Sequence, residues 1–149
     1  MNNAADPLAA CRPILCVANV ARSIAYYVES LGFRIGWRWS DTEQRFLEPQ
    51  EAGESTFALV CRGQVQFMLS QNSQGAAGVW LHLDVLTAEQ IDSLHSEWLS
   101  GGAVIVEPPA LRPWGMYEMR VRDLDGHMLR VSATPRKEGE SPSSSRNAP

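Results

Sequence analysis

The chain has little of several things, and each shortage narrows what it can be. Only three of its 149 residues are cysteine and only three are histidine. Cys11, Cys16 and Cys61 form neither an even set nor a CxxC pair, which argues against a disulfide framework or a zinc knuckle and fits buried free thiols in a reducing compartment. Basic residues are outnumbered, 13 Lys and Arg against 17 Asp and Glu, so a net charge of -4 offers no general attraction to nucleic-acid phosphates or anionic membranes. No apolar run approaches the roughly 20 residues that cross a bilayer. Met1 to Ala10 also lacks the basic-then-apolar pattern of a secretory signal, and a cytoplasmic location is expected. There is no Gly-x-Ser-x-Gly elbow and no phosphate-cradling glycine loop, and Ser55, Ser70 and Ser132 have no histidine at an interpretable spacing. Hydrolase and nucleotide-binding readings drop out.

What is present is ordinary globular material, 44% hydrophobic and 20% charged, in a length that suits one domain. The expected division is a flexible N-terminus over 1–10, a single domain over 11–134 and a disordered Ser/Pro-rich tail over 135–149. Arg12 to Val17 alternates as a strand, and Asn19 caps a helix that carries Val20, Ile24, Val28 and Leu31 on one stripe until Gly32. Phe33 to Trp39, Phe57 to Cys61 and Val65 to Ser70 read as strands, with Arg62-Gly63-Gln64 as a turn and the polar Ser40 to Ser55 unassigned. After a connector from Gln71 to Ala77 the order begins again. Val79 to Val85 is a strand, and Thr87 and Gln90 form a capping box for a helix over Ala88 to Ser100 whose buried stripe is Ile91, Leu94 and Trp98. Ala103 to Val106 is the next strand, followed by a Pro-rich loop from Glu107 to Pro113. Met116 to Arg122 alternates strictly, and Asp123-Leu-Asp-Gly126 turns the chain into His127 to Ser132.

The same five-element order therefore occurs twice, in modules over 11–70 and 78–134, and Phe67-Met68-Leu69-Ser70 can be laid over Leu129-Arg130-Val131-Ser132. Val17-Ala-Asn19, Ser23-Ile-Ala-Tyr-Tyr27 and Leu31-Gly-Phe33 resemble the V-x-D, S-hydrophobic-x-F-Y and L-G-F pattern of the vicinal oxygen chelate superfamily, which includes glyoxalase I, extradiol dioxygenases and bleomycin-resistance proteins. Pro113-Trp-Gly-Met-Tyr-Glu118 and Arg122-Asp-Leu-Asp-Gly126 resemble its P-W-G-x-x-E and R-D-P-D-G pattern, with Leu124 in place of proline. The resemblance implies an α+β fold of two tandem βαβββ modules, whose curved mixed sheets enclose a cavity, in a homodimer whose grooves are completed by a second subunit.

The resemblance also implies four metal-ligand positions, which fall here on Arg12, Met68, Gly78 and Arg130. Two cations, a thioether and a glycine cannot assemble a hard divalent site, so no metal and no cofactor are expected. Strand alternation places Arg12, Ile14, Cys16, Gln66, Met68, Trp80, His82, Asp84, Met128 and Arg130 on the cavity side, and Leu15, Val17, Phe67, Leu69, Leu81, Leu83, Leu129 and Val131 under the helices.

His82 and Asp84 share a face and read as an acid–base pair or part of a displaced metal site on one side, and as solvated edge polarity or a structural hydrogen bond on the other, while His95 and His127 are assigned to the surface. Trp98 is core. Trp37, Trp39 and Trp114 serve either packing or the stacking of a bound ring. The ligand-binding candidates are Trp37, Trp39, Gln66, Met68, Trp80, His82, Trp114, Glu118, Arg120 and Arg130, with no catalytic residue assigned. The expected function is sequestration of a small, partly aromatic molecule of the bleomycin-resistance type. The alternative is a glyoxalase-like lyase or a dioxygenase with an altered metal site. Arginines on the cavity side favour an uncharged or anionic planar ligand over a cationic one.

Overall fold

The computed structural model describes residues 7–134; residues 1–6 and 135–149, on which the expected flexible N-terminus and disordered tail largely fall, lie outside the described residues. The first module runs β1 (Ile14–Val17), α1 (Val20–Ala25, continuing as a π-helical turn over Tyr26–Ser30), β2 (Arg34–Ser40), β3 (Arg45–Leu47), β4 (Phe57–Arg62) and β5 (Val65–Gln71). The second runs β6 (Trp80–Asp84), α2 (Ala88–Ser100), β7 (Val104–Leu111), β8 (Tyr117–Arg122) and β9 (Met128–Ala133). They build a five-stranded sheet ordered β1-β5-β4-β2-β3 and a four-stranded sheet ordered β6-β9-β8-β7. Both sheets are mixed, because the first strand of each module pairs in parallel with its last and the other pairings are antiparallel.

The helix starts follow from their caps. Asn19 accepts the Arg22 N–H through its side chain, and Thr87 with Gln90 forms the reciprocal capping box read from the sequence. One face of each sheet packs against the helices in a single apolar core, where Leu15, Val17, Phe67, Leu69, Leu129 and Val131 are buried and Leu81 and Leu83 partly so. Trp98 lies in that core and donates its indole N–H to the Leu31 carbonyl at 2.9 Å, tying α2 to the end of α1.

Two stretches differ from the sequence reading. The segment from Ser40 to Ser55 holds the short strand β3 and wraps around a buried guanidinium: Arg38 donates to the carbonyls of Glu48, Glu51 and Gly53 and to Ser55 Oγ. A cation that satisfies several carbonyls gives an irregular segment a fixed shape that no hydrophobic period announces. The expected loop at Glu107 is instead part of β7, which continues through Pro108 and Pro109 to Leu111 by means of bulges. Proline is tolerated there because β7 is an edge strand.

The modules are locked to each other by the Asp123–His127 turn. Asp123 Oδ1 accepts the N–H groups of Asp125 and His127, and its Oδ2 accepts the Tyr27 hydroxyl, each at 2.9 Å. Gly126 takes φ +82 at the turn, a conformation open to glycine. Asp125 reaches across to the Ala18 N–H at 2.8 Å and Ser23 Oγ at 3.2 Å. His127, placed on the surface by the sequence, is fully buried. Its Nδ1 accepts the Val79 N–H, so the proton resides on Nε2, which donates to the Cys16 carbonyl at 2.8 Å. A residue directly after a turn glycine looks exposed in sequence, but this turn is itself covered by β1. The thiols are also less uniform than expected: Cys61 is buried, Cys16 half-buried and Cys11 exposed.

Removing the Asp123 carboxylate strands three donors at once. Asp123→Ala is expected to lower unfolding free energy by about 2–4 kcal/mol in urea titration, and Asp125→Ala, whose partners are less buried, by about 1 kcal/mol.

Candidate functional site

The sheet faces turned away from the helices are open, and each has its own chemistry. On the first sheet, alternation would leave Ile35, Trp37 and Trp39 on one side, but the ladder between β2 and β4 shifts between Ile35 and Trp37. Ile35 pairs with the buried Val60, whereas Trp37 and Trp39 pair with Leu59 and Phe57. The bulge falls at Gly36, where a Cβ would come within 2.8 Å of Leu59 Cδ2, so the tryptophan pair depends on a residue without a side chain. Trp37 stacks on Phe57 at 5.6 Å and 17°, and Phe46 packs edge-on to both indoles. With Asp41, Thr56, Ser70 and Gln74 among their neighbours, these rings line a cavity of about 420 Å³ built entirely from the first module and the connector behind it. On the same face Gln66 and Met68 are half-buried, and Gln66 Oε1 accepts from Arg12 Nε.

The second sheet carries charge where the first carries rings. Across β7, β8, β9 and β6 the register aligns Glu107, Arg120, Arg130 and His82 in one row. Arg120 lies over the Trp80 ring at 5.2 Å and Arg130 over Trp114 at 5.4 Å, both within cation–π range. Glu118 is fully buried and accepts from Arg130 Nε (3.0 Å) and Nη2 (2.8 Å), Trp114 Nε1 (2.9 Å) and Ser132 Oγ (3.1 Å). Burial opposes its ionisation, but the bonds from Arg130, Trp114 and Ser132 outweigh that and hold its carboxyl down at about 2. Such a carboxylate is saturated and stays ionised, which suits anchoring Arg130 and unsuits general-base work. His82 Nε2 lies 3.1 Å from Asp84 Oδ1, with Asp84 87% exposed, so the pair is a solvated edge contact.

The sequence candidates thus fall into two groups. Trp37, Trp39, Gln66 and Met68 share the open face of the first sheet, and Trp80, His82, Trp114, Glu118, Arg120 and Arg130 cluster on the second. Phe46 and Phe57 were not among them, nor were Glu107 and Arg112. Phe57 follows from alternation with Leu59, while the other three lie in segments whose structure the sequence pattern does not reveal.

The ligand positions implied by the family need one correction. Counting from the helix caps, Asn19 and Thr87, places Leu15 level with Leu83 and therefore Arg12 level with Trp80 rather than Gly78. The parallel ladders agree, since Ile14 pairs with Met68 as His82 pairs with Arg130. Gly78 lies two residues outside the repeat. The four positions are Arg12, Met68, Trp80 and Arg130, an indole replacing the glycine. Among the described residues no three His, Cys, Asp or Glu side chains converge. Guanidiniums, a thioether and an indole do not fit a hard divalent ion, and no step through a metal is derived.

Because the Glu118 carboxyl titrates lower in the folded chain than its ordinary 4.5, its stabilisation is complete above that value and lost as pH falls toward about 2. Glu118→Gln should be less stable than the native chain near neutral pH. The gap in urea midpoint should close between about pH 5 and about pH 2.

No curated protein sequence resembles the chain significantly. Solved structures do: TioX from Micromonospora sp. ML1 superposes with a TM-score of 0.66 at 21% identity, over 84% of this chain and 98% of its own. An integron cassette protein from the mobile metagenome of the Halifax Harbour sewage outfall gives 0.63 at 18% identity, over 85% and 99%. A lactoylglutathione lyase from Agrobacterium tumefaciens gives 0.62 at 12% identity, over 86% and 96%. At these identities the likeness is one of fold. The model of the Glyoxalase/Bleomycin resistance protein/Dioxygenase superfamily matches residues 7–131, and with the doubled βαβββ architecture in place the chain belongs to that superfamily.

Proposed function

We propose that this chain is a cytoplasmic homodimer that sequesters a small, flat, partly aromatic molecule, in the manner of the bleomycin-resistance branch, and carries out no metal-dependent turnover. The observation that carries the reading is the residue set Arg12, Met68, Trp80 and Arg130 at the positions where lyases and dioxygenases of the superfamily hold their metal. A second line of support is the aromatic wall of Trp37, Trp39, Phe46 and Phe57, which suits stacking against a ring. The lyase and dioxygenase readings find no comparable support, since Glu118, the buried carboxylate of the open face, is fully engaged.

Dimerisation is supported by what a single chain leaves uncovered. Trp80 is 57% and Phe46 61% exposed, on the open faces of different sheets. A partner whose second sheet lies over the first sheet of its mate would cover both and close two equivalent grooves. Such an interface buries at least about 1,000 Å². No helix among the described residues is long and apolar enough to cross a membrane, which is compatible with the proposed location.

The dimer is checked by light scattering on eluted protein, where a mass twice the 16.5 kDa of one chain is expected and a single-chain mass refutes it. Sequestration is tested with 2-naphthamide, a neutral flat probe, followed by tryptophan quenching. The probe should bind saturably without added metal. Trp37→Ala should weaken it about tenfold, equivalent to about 1.4 kcal/mol, while circular dichroism stays native. Binding that appears only with stoichiometric zinc, nickel, iron or manganese favours the enzyme reading.

A further inference from the structure

The arginines of the second sheet are more numerous than their carboxylates, and the surplus is placed on the open face. Glu107 is shared by two cations, its Oε2 lying 2.8 Å from Arg112 Nη2 and its Oε1 2.9 Å from Arg120 Nη1. Glu118 neutralises Arg130 alone. Arg122 is exposed at the end of β8 and Asp84 at the end of β6. The face therefore carries four guanidiniums, of Arg112, Arg120, Arg122 and Arg130, against three carboxylates, of Glu107, Glu118 and Asp84, a formal surplus of one positive charge.

That surplus is concentrated by register. Arg120 and Arg130 are directly opposed on β8 and β9, a pairing of like charges that costs stability unless something negative lies between them. Their existing bonds leave complementary donors. Arg120 uses Nη1 on Glu107, and its Nε is buried without a partner. Arg130 uses Nε and Nη2 on Glu118. Arg120 Nη2 and Arg130 Nη1 remain, on side chains that are still 23% and 34% exposed. Two N–H groups outside the bonds named, on residues opposed across β8 and β9, offer one donor to each oxygen of a carboxylate. The indoles of Trp80 and Trp114 sit against these two arginines, so apolar ring surface borders the charge on both sides.

We infer that Arg120 and Arg130 form a pincer for the carboxylate of a flat aromatic monoanion, with the ring of the ligand held beside Trp80 and Trp114. This rests on the sequestration reading and specifies its ligand class. One negative charge balances the surplus of the face, and a dianion would overshoot it. Binding of this kind weakens with salt, because the charges are only partly buried.

The experiment compares 2-naphthoate with its neutral isostere 2-naphthamide by calorimetry and tryptophan quenching. The naphthoate is expected to bind at least tenfold more tightly at low salt, with the advantage shrinking as salt is added. Arg120→Met keeps the aliphatic stem and should bring naphthoate affinity down to that of naphthamide measured on the same variant; Arg120→Lys should retain part of the preference. Should Arg120→Met fail to fold, Glu107→Gln reads the same site from the other side, raising naphthoate affinity and leaving naphthamide unchanged. Equal affinity for the two probes overturns the pincer and leaves sequestration standing. A naphthoate preference that survives Arg120→Met, or that Glu107→Gln does not increase, also overturns it. Failure of both probes to bind removes the sequestration reading together with the pincer.

Discussion

The open edge of β1 is the constraint on which the arrangement of the molecule depends. An edge strand presents unpaired N–H and C=O groups that must be covered or left as a template for aggregation. Here they are covered by the second module and the connector. His127 takes the Cys16 carbonyl, Asp125 takes the Ala18 N–H, and Gly75 lies so close that a Cβ would come within 2.4 Å of the Ile14 carbonyl oxygen. Asp123 holds the turn that delivers these groups and also receives the Tyr27 hydroxyl, which burial and the neighbouring carboxylate keep protonated by pushing it well above its ordinary value. A handful of polar bonds, of which the Tyr27–Asp123 bond is buried, thus joins two modules whose apolar faces would otherwise meet without a defined register.

Fixing that joint decides where the ligand chemistry can be. Both helices contribute to one core, so both sheets turn their other faces outward, one rich in rings and the other in guanidiniums. The cavity on the first sheet has only first-module and connector walls. In the proposed dimer the aromatic face of one protomer meets the cationic face of the other, and a flat anion would use both. Stacking supplies area and the arginines supply orientation.

Much of this was legible in the sequence because it depends on periods. Alternation along β1, β5, β6, β8 and β9 separates helix-facing from open-facing residues, and the two caps, Asn19 and Thr87, set the phase of each module. What stayed hidden depends on contacts between residues distant along the chain. His127 looks like a turn residue until β1 is laid over it. Arg38 looks like surface charge on a strand until the carbonyls of residues 48–53 close around it. Glu107 and Arg112 look like ends of a proline loop until the bulges of β7 carry the strand past Pro109 and bring both to Arg120. The misplaced Gly78 has a different origin. The resemblance puts that ligand at the start of the second module's first strand, but the distance back from the helix cap, which is fixed by the ladder, selects Trp80.

The same joint explains how the ligand positions could lose their donors without loss of the fold. Where a metal bridges two modules, its ligands hold the structure together as well as perform chemistry, and replacing them costs stability. In this chain the bridge is made by Asp123, Asp125 and His127, through bonds that use none of the side chains at the four ligand positions. Arg12, Met68, Trp80 and Arg130 therefore carry no burden of holding the modules together. Their strands are kept in register by ladders and by a core that begins one residue away on the opposite face. Side chains there answer only to the groove, and a guanidinium beside an indole is as compatible with the backbone as a histidine would be. The cost of placing cations on the open face is met locally, by Glu118 under Arg130 and Glu107 beside Arg120. Since Glu107 also serves Arg112, that compensation is incomplete, and the remaining charge is what the proposed aromatic anion would balance.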